Sequence, residues 1–240
     1  MKKIIFICLF IVTVMVLGVS DVYAAESANV RIELHSFTQT QAITNATTFT
    51  DGLDFEVSPQ FSTSGHSYTV FYNIGTTDVM VGYYTLKPGK KVSVGLWTAG
   101  GASSSSSSSG SSSGSFGNHN GVYYELERVK FSLYETPQND VCIRTYITES
   151  QLLNATNRIK NKNDSYDALT YNCSSLAVDI WNYATGDNLS AGWINTPDYL
   201  RTNIINNGDF TVYYNYSIGS SNKAYWYKTS NSTMMEISFT

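Results

Sequence analysis

The chain is poor in cysteine and histidine, and this scarcity limits the sites that it can build. It has three residues of each type among 240. No CxxC or HxxxH spacing occurs, so a structural zinc site is not expected. Three cysteines in so long a chain also do not make the disulfide framework of small secreted domains. Each cysteine and histidine is therefore interpreted individually.

Charged residues are sparse as well, and no block of basic residues occurs. They make up 14% of the chain, with a formal net charge of −4. Binding to nucleic acid needs clustered Lys and Arg that pair with phosphates, so the composition argues against a nucleic-acid partner and against an anionic membrane surface. Ser, Thr, Asn and Tyr are abundant instead, which is common in extracellular β-rich proteins.

Only one long apolar run occurs, and it lies at the N-terminus. Residues 1–24 contain two lysines, then an apolar core, then the small-residue sequence VYA. This order predicts a secretory signal peptide that is cleaved after Ala24. An uncleaved membrane anchor is the alternative, but the apolar core is short for a membrane span. We therefore expect a secreted mature chain, residues 25–240, that forms one domain without a membrane span.

The first part of this mature chain predicts an antiparallel meander. The sequence NVRIELHSF, residues 29–37, alternates apolar and polar residues. The clearest predicted hairpin joins His66–Asn73 to Asp78–Leu86, with Gly75 in the turn. A third strand, VSVGLW, follows at residues 92–97.

The composition then changes at residues 100–117, which are almost entirely serine and glycine. Such a segment buries too little apolar area to offset its ordering entropy, so we expect a long flexible surface loop within one domain. A linker between two domains is the alternative. Strand character resumes at residues 121–135 and in DVCIRTYI, residues 140–147. It returns near the C-terminus, at residues 210–219 and 234–240.

Three helices are predicted late in the chain from their capping residues. Thr148 and Gln151 form a capping-box pattern. A second helix is predicted to start at Asn172 or Cys173 and to end at Gly186. A third has Thr196 as its N-cap, Pro197 at its first position and Asn207-Gly208 as its end. The predicted fold class is α+β, an antiparallel sheet with a helical subdomain.

Two cysteines lie outside the signal peptide, and their settings differ. Cys142 is flanked by Val141 and Ile143, like an ordinary strand residue. Cys173 is predicted at the start of a helix, where free backbone N–H groups and the positive end of the helix dipole stabilise a thiolate. The same N–H groups could stabilise an oxyanion. Two alternatives stay open: Cys173 is a small buried residue, or it forms a disulfide with Cys142.

A thiolate nucleophile commonly works with a histidine. His35 ends the first predicted strand, and His119 lies beside the serine-rich loop, where mobility disfavours fixed geometry. His66 opens the central predicted strand, and Gly65 before it leaves room for a close approach. We therefore select His66, although a single histidine on a strand is more often a structural group.

The two selected segments resemble one protein family. GHSYTVFYN on a strand, followed later by YNCSSLAVDIW on a helix, resembles the circularly permuted papain-like fold, in which the His strand precedes the Cys helix. Relatives include permuted NlpC-type cell-wall peptidases and the lecithin–retinol acyltransferase group. The combination also resembles secreted proteins of Gram-positive bacteria. The resemblance covers roughly residues 64–193 and depends on short motifs.

The resemblance implies roles for particular residues. Cys173 would be the nucleophile and His66 the general base. A third polar residue on the strand after the His strand would orient the imidazole, and Tyr83 is the predicted residue, with Thr85 as the alternative. Neither is the His, Asn, Asp or Gln usual in the family. No cofactor or metal is implied.

The sequence thus leads to two functional hypotheses. The first is a secreted thiol-dependent hydrolase or acyltransferase, cysteine peptidase- or amidase-like if active, that acts on an amide or ester bond. A peptidoglycan peptide or another extracellular compound is the candidate substrate. The second is a non-catalytic extracellular binding or surface-interaction domain on the same scaffold.

Overall fold

A computed structural model describes residues 28–38, 65–97, 120–133, 139–162, 170–193, 195–219, 224–228 and 233–238. The predicted signal peptide, the serine-rich segment at 100–117 and His119 lie outside these ranges. Within them, no helix is both long enough and apolar enough to cross a membrane.

Most of the described strands join one antiparallel sheet, in the order β10-β9-β6-β5-β2-β1-β7-β8, and β3 and β4 form a separate two-stranded sheet. The strands are β1 (Val30–Phe37), β2 (His66–Asn73), β3 (Val79–Val81), β4 (Tyr84–Leu86), β5 (Lys91–Trp97), β6 (Gly121–Tyr124), β7 (Val141–Ile147), β8 (Tyr213–Tyr214), β9 (Ala224–Lys228) and β10 (Met234–Ser238).

The predicted hairpin between His66–Asn73 and Asp78–Leu86 is wrong. Strand β2 pairs with β1 on one side and with β5 on the other, whereas β3 and β4 pair only with each other. The turn of this small hairpin lies at Gly82, whose φ of 59° belongs to the left-handed region that suits glycine. The sequence between β2 and β5 therefore forms a separate hairpin, and the edge of β2 pairs with β5 instead.

The strand predicted at residues 121–135 is correct only in its first part. Strand β6 ends at Tyr124, and helix α1 (Leu126–Leu133) follows directly. Leu126 and Val129 are spaced for one helical face and both are buried. This short helix packs its apolar side over the sheet, which a strand in the same place would not do.

The three predicted helices are confirmed as α2 (Glu149–Asn161), α3 (Cys173–Thr185) and α4 (Pro197–Asn206). The Thr148 side chain accepts a hydrogen bond from the Gln151 N–H, and the Gln151 side chain bonds back to the Thr148 backbone. Helix α3 ends at Gly186, which has a left-handed conformation. The capping residues therefore fixed these helix ends as expected.

The main sheet is covered on both faces, so its central strands are buried almost completely. Helices α2, α3 and α4 pack on one face, through residues such as Leu152, Trp181 and Leu200. Helix α1 covers part of the other face, where Tyr68 and Leu126 belong to a second apolar cluster. The described residues thus form an α+β fold built on a large antiparallel sheet.

Candidate functional site

The N-terminus of α3 places Cys173 at its first helical position. The Asn172 side chain accepts hydrogen bonds from the backbone N–H groups of Ser174 and Ser175. The Ser175 hydroxyl accepts in turn from the Asn172 N–H, which completes a capping box. The backbone N–H of Cys173 has no acceptor among the described residues. It is therefore available to a ligand at the end of the helix dipole where negative charge is favoured.

A chain of buried hydroxyl groups fixes this helix end against the sheet. The Ser174 hydroxyl lies 3.0 Å from that of Ser67 on β2, which lies 2.9 Å from that of Ser36 on β1. The Ser36 hydroxyl donates to the Pro197 carbonyl at 2.7 Å, at the start of α4. Two strands and two helix N-termini are thus tied together next to Cys173. The sequence analysis did not identify these serines as positioning residues.

His66, the first residue of β2, hydrogen-bonds to the Cys173 thiol. Its Nε2 lies 3.0 Å from Oε1 of Glu127, which leaves Nδ1 as the ring nitrogen for the thiol. Gly65 permits this position: a Cβ there would lie 1.9 Å from the carbonyl oxygen of Phe37, and φ is +78°. The structure therefore brings the predicted Cys173 and His66 together.

Glu127, in the first turn of α1, is the carboxylate partner that the sequence analysis missed. Its side chain is fully buried. Besides His66, it accepts hydrogen bonds from Nε1 of Trp97 and from the hydroxyl of Ser93, both at 2.8 Å. Burial raises the pKa of this carboxyl, but the bonds from His66 and Ser93 outweigh burial, so its pKa lies below the usual value. Glu127 is therefore ionised and holds the imidazole in one orientation.

Gly95 on β5 makes the room that Glu127 occupies. A Cβ at this position would lie 1.8 Å from Oε1 of Glu127 and 3.0 Å from Nε2 of His66. Any other residue would therefore push the carboxylate away from the imidazole. The sequence GLW at 95–97 thus contributes both the space for Glu127 and, through Trp97, one of its donors.

Aromatic and cationic groups enclose His66 on the same face of the sheet. The Trp97 ring lies over the imidazole with the centroids 4.1 Å apart, and Nζ of Lys130 lies 3.8 Å from the Trp97 centroid. Burial lowers the pKa of Lys130 to about 7, although the charge of Glu127 acts in the opposite direction. The imidazole also stacks with the Tyr68 ring, with the centroids 5.9 Å and the planes 13° apart. These contacts restrict the rotation of the ring.

The electrostatics of the pair favour a thiolate and an imidazolium. Burial lowers the pKa of His66, but Cys173 and Glu127 raise it more, to about 9. Burial raises the pKa of the Cys173 thiol, yet the charge and the hydrogen bond of His66, together with a hydrogen bond from the Ser67 N–H, lower it below the usual value. The two shifts have opposite sign, and each favours the thiolate–imidazolium form of the pair over the neutral form. We call Cys173, His66 and Glu127 the Cys173 triad.

The predicted role of Tyr83 requires a correction, because the structure places this residue away from His66. It lies in the β3–β4 hairpin, its N–H donates to the Tyr124 hydroxyl at 3.0 Å, and Nζ of Lys228 lies 3.8 Å from its ring centroid. Thr85 lies in the same hairpin and donates to the Met80 sulfur. The cause is the strand pairing, since β5 rather than this hairpin borders β2.

A second cluster of similar composition surrounds the other described cysteine. Cys142 and Cys173 are both free thiols, so the predicted alternative of a disulfide between them is wrong. Cys142 is buried and lies opposite His35 in the β1–β7 register. Nδ1 of His35 lies 2.8 Å from Oδ2 of Asp140, and its Nε2 lies 3.3 Å from Oε2 of Glu33. We call these four residues the Cys142 cluster.

Chemically, the Cys173 triad can perform nucleophilic catalysis without a cofactor. It combines a thiol whose pKa is lowered, an imidazole in contact with this thiol and a carboxylate that orients the imidazole. The free N–H of Cys173 can stabilise negative charge on an attacked carbonyl oxygen. In the described part of the chain, no group of three or more His, Cys, Asp and Glu is arranged to hold a metal ion.

Comparisons with known proteins do not assign the chain to a family. No family model, no curated protein and no solved structure matches it. The functional conclusion therefore depends on the geometry of the Cys173 triad and on the sequence features described above.

Proposed function

We propose that this protein is a secreted thiol-dependent hydrolase or acyltransferase with a circularly permuted papain-like arrangement. One observation carries the proposal: the Cys173 thiol hydrogen-bonds to His66, whose Nε2 lies 3.0 Å from the buried carboxylate of Glu127. Burying two charged groups costs free energy, which their mutual attraction has to offset. A cysteine that only fills space in the core would gain nothing from this pairing. Perturbed pKa values of this kind cluster at functional sites.

The chemistry follows from the positions of the groups. The Cys173 thiolate attacks the carbonyl carbon of an amide or ester, a C–S bond forms, and the carbonyl π electrons move to oxygen. The Cys173 N–H donates to this oxyanion. Protonated His66 gives its proton to the leaving nitrogen or oxygen as the C–N or C–O bond breaks. Water, or another nucleophile, then attacks the thioester while His66 takes its proton, and the thiolate leaves.

A peptidoglycan peptide is the substrate class that we propose. The support is the predicted signal peptide at residues 1–24 and the resemblance of the His and Cys segments to those of permuted cell-wall peptidases. Wall stem peptides present amide bonds outside the cell, where a secreted thiol hydrolase would meet them. An acyltransferase would use the same thioester intermediate and differ only in the group that attacks it.

The test compares two alanine variants of the described cysteines. Purified wild-type protein is incubated with peptidoglycan fragments, and new amine ends are counted together with any covalent acyl-enzyme detected by intact mass. Cys173→Ala should reduce the rate by about 10³-fold or more and abolish the adduct, because the nucleophile is lost. Cys142→Ala is the matched control and should keep the wild-type rate per folded molecule.

Two outcomes would contradict this function. Equal activity of wild type and Cys173→Ala would show that the thiol is not the nucleophile. Binding of wall fragments by the wild type without turnover or adduct would instead support the non-catalytic binding domain on the same scaffold.

A further inference from the structure

The face of the sheet that carries His66 also carries a cluster of cations and tyrosines at its other end. Arg31 on β1 pairs with Tyr72 on β2, and Tyr72 pairs with Lys91 on β5. Arg31 and Phe37, the partner of His66, are six residues apart on β1. At about 3.4 Å per residue, the cluster lies roughly 20 Å from the catalytic end. It is therefore separate from the Cys173 triad.

Three cations of this cluster converge on one tyrosine, Tyr216, in the segment after β8. Nη1 of Arg144 donates to its hydroxyl at 3.0 Å, and Nη2 of Arg31 approaches the same oxygen at 3.4 Å. Nζ of Lys91 lies 5.5 Å from the centroid of its ring. Arg144 also donates to the Tyr213 hydroxyl at 3.0 Å. The charged groups are thus held close together although they repel one another.

The carboxylates within reach do not neutralise these cations. Oε1 of Glu33 accepts two hydrogen bonds from Arg31, and Oε2 faces His35. Lys91 reaches the same carboxylate only at 4.0 Å, and Arg144 has no carboxylate within salt-bridge distance among the described residues. Glu33 is therefore the one described carboxylate set against the charges of Arg31, Lys91 and Arg144, which leaves a surplus of two positive charges. Burial and the neighbouring arginines lower the pKa of Lys91, although Glu33 raises it.

The cluster also presents hydrogen-bond donors without matching acceptors. The hydroxyls of Tyr213 and Tyr216 accept from arginine, so their own hydrogens must point to another acceptor. No described residue supplies one. The Lys91 ammonium and the unused N–H groups of Arg144 add further donors. A ligand from solvent can reach these donors, because their side chains are half-buried rather than enclosed: Lys91, Arg144, Tyr213 and Tyr216.

We propose that Arg31, Lys91, Arg144, Tyr213 and Tyr216 form a binding site for a phosphate group, as free phosphate or as a phosphate monoester. An array of donors with surplus positive charge is complementary to an oxyanion, and arginine N–H forks match phosphate oxygens. A phosphate monoester carries about −1.5 to −2 charges at neutral pH, which balances the two surplus cations. This assignment does not depend on the proposed function of the Cys173 triad.

Calorimetric titration with inorganic phosphate and, separately, with glycerol phosphate tests the site. Arg144→Gln should weaken phosphate binding by about tenfold or more, because the guanidinium contributes both charge and donors. Lys91→Met removes the second surplus charge and should have a similar effect. Lys87→Met is the matched control. Lys87 is exposed, lies on the turn before β5 and pairs with Asp78, so its substitution should leave phosphate binding unchanged. Far-UV circular dichroism verifies that each variant is folded.

Tyr213→Phe combined with Tyr216→Phe removes only the two hydroxyls and should weaken binding by about threefold to tenfold. Tighter binding of glycerol phosphate than of inorganic phosphate would identify a monoester as the ligand, and the reverse would identify the free ion. The proposal is overturned if the wild type shows no saturable binding, if sulfate binds equally well, or if Lys87→Met weakens binding as much as Lys91→Met. Cys173→Ala should bind phosphate normally, which separates this test from that of the catalytic proposal.

Discussion

Two groups of Cys, His and carboxylate border the same sheet, and they differ in the charge that faces the thiol. In the Cys173 triad, the imidazole contacts the sulfur and the carboxylate lies behind the imidazole. In the Cys142 cluster, both imidazole nitrogens face carboxylates. Burial and the charges of Asp140 and Glu33 then raise the pKa of the Cys142 thiol. The same residue types therefore give a thiol whose pKa is lowered in one place and a thiol whose pKa is raised in the other.

The difference arises from backbone position rather than from composition. Cys173 begins a helix, where its own N–H has no acceptor among the described residues, and the strand that carries His66 begins beside it. Cys142 lies within β7, where its backbone groups belong to the sheet and its side chain is fully buried. A thiolate is stabilised by an adjacent cation and by free donors. Only the helix start supplies both.

The largest expected effect in this comparison comes from the carboxylate of the triad. Glu127→Gln keeps the shape of the side chain but removes the charge that raises the pKa of His66. We expect the reaction rate of the Cys173 thiol with iodoacetamide at about pH 6 to fall by roughly 10-fold or more, because a less stable imidazolium leaves a smaller fraction of the thiol ionised. Mass spectrometry of the labelled peptide measures this rate.

The matched change in the other group is Asp140→Asn. It removes the carboxylate beside His35 and should leave the labelling of Cys173 at the wild-type rate. Equal slowing by Glu127→Gln and Asp140→Asn would contradict the assignment of Glu127 to the triad.

A pH-dependent effect is expected from the Cys142 cluster. Burial lowers the pKa of His35, but Asp140 and Glu33 raise it to about 9, above an unfolded value of about 6.5. Protonated His35 therefore stabilises the fold fully below about pH 6.5, and this contribution disappears as the pH rises through 9. The free energy of unfolding of wild type minus that of His35→Gln should fall by roughly 2–3 kcal/mol over this range. Urea unfolding at several pH values measures it.

Lys130, whose lowered pKa gives the opposite trend with pH, is present in both proteins, so its contribution cancels in the difference. A difference that stays constant between pH 6 and 10 would show that His35 is neutral throughout, contrary to the ion pairs inferred for the Cys142 cluster.

A smaller effect is expected from the glycine that makes room for Glu127. Gly95→Ala introduces a Cβ 1.8 Å from Oε1 of Glu127, so the carboxylate has to shift. We expect a loss of about 1–3 kcal/mol in the free energy of unfolding, as in other overpacked sites, with slower labelling of Cys173. Gly208→Ala is the control, because a Cβ there meets nothing within 4 Å. Similar losses in both variants would exclude a specific role for Gly95.

The local features of the site were predictable from the sequence. Asn172 was expected as an N-cap and Cys173 as the first helical residue, because capping depends on neighbouring residues only. His66 was selected because it begins a strand rich in β-forming residues. These predictions required no knowledge of which elements pack together.

The pairing of β2 with β5 and the position of Glu127 were not predictable in the same way. The β3–β4 hairpin has the composition of strands that could pair with β2, and local sequence does not distinguish the two arrangements. Glu127 approaches His66 only because α1 packs over β5, where Gly95 leaves room for the carboxylate. The available signal was the helical spacing of Leu126, Val129 and Leu133, which places Glu127 in the first turn of a helix rather than in a strand.

The most direct test is the pH profile of thiol labelling in the wild-type protein. The rates of iodoacetamide reaction at Cys173 and Cys142 are followed by mass spectrometry between about pH 4 and 10. We expect the labelling rate of Cys173 to have a pH midpoint well below the free-cysteine value of about 8.5. His66→Ala should raise this midpoint, and Cys142 should stay unlabelled while the protein is folded. A Cys173 midpoint at or above about 8.5, unchanged in His66→Ala, would contradict the thiolate–imidazolium pair.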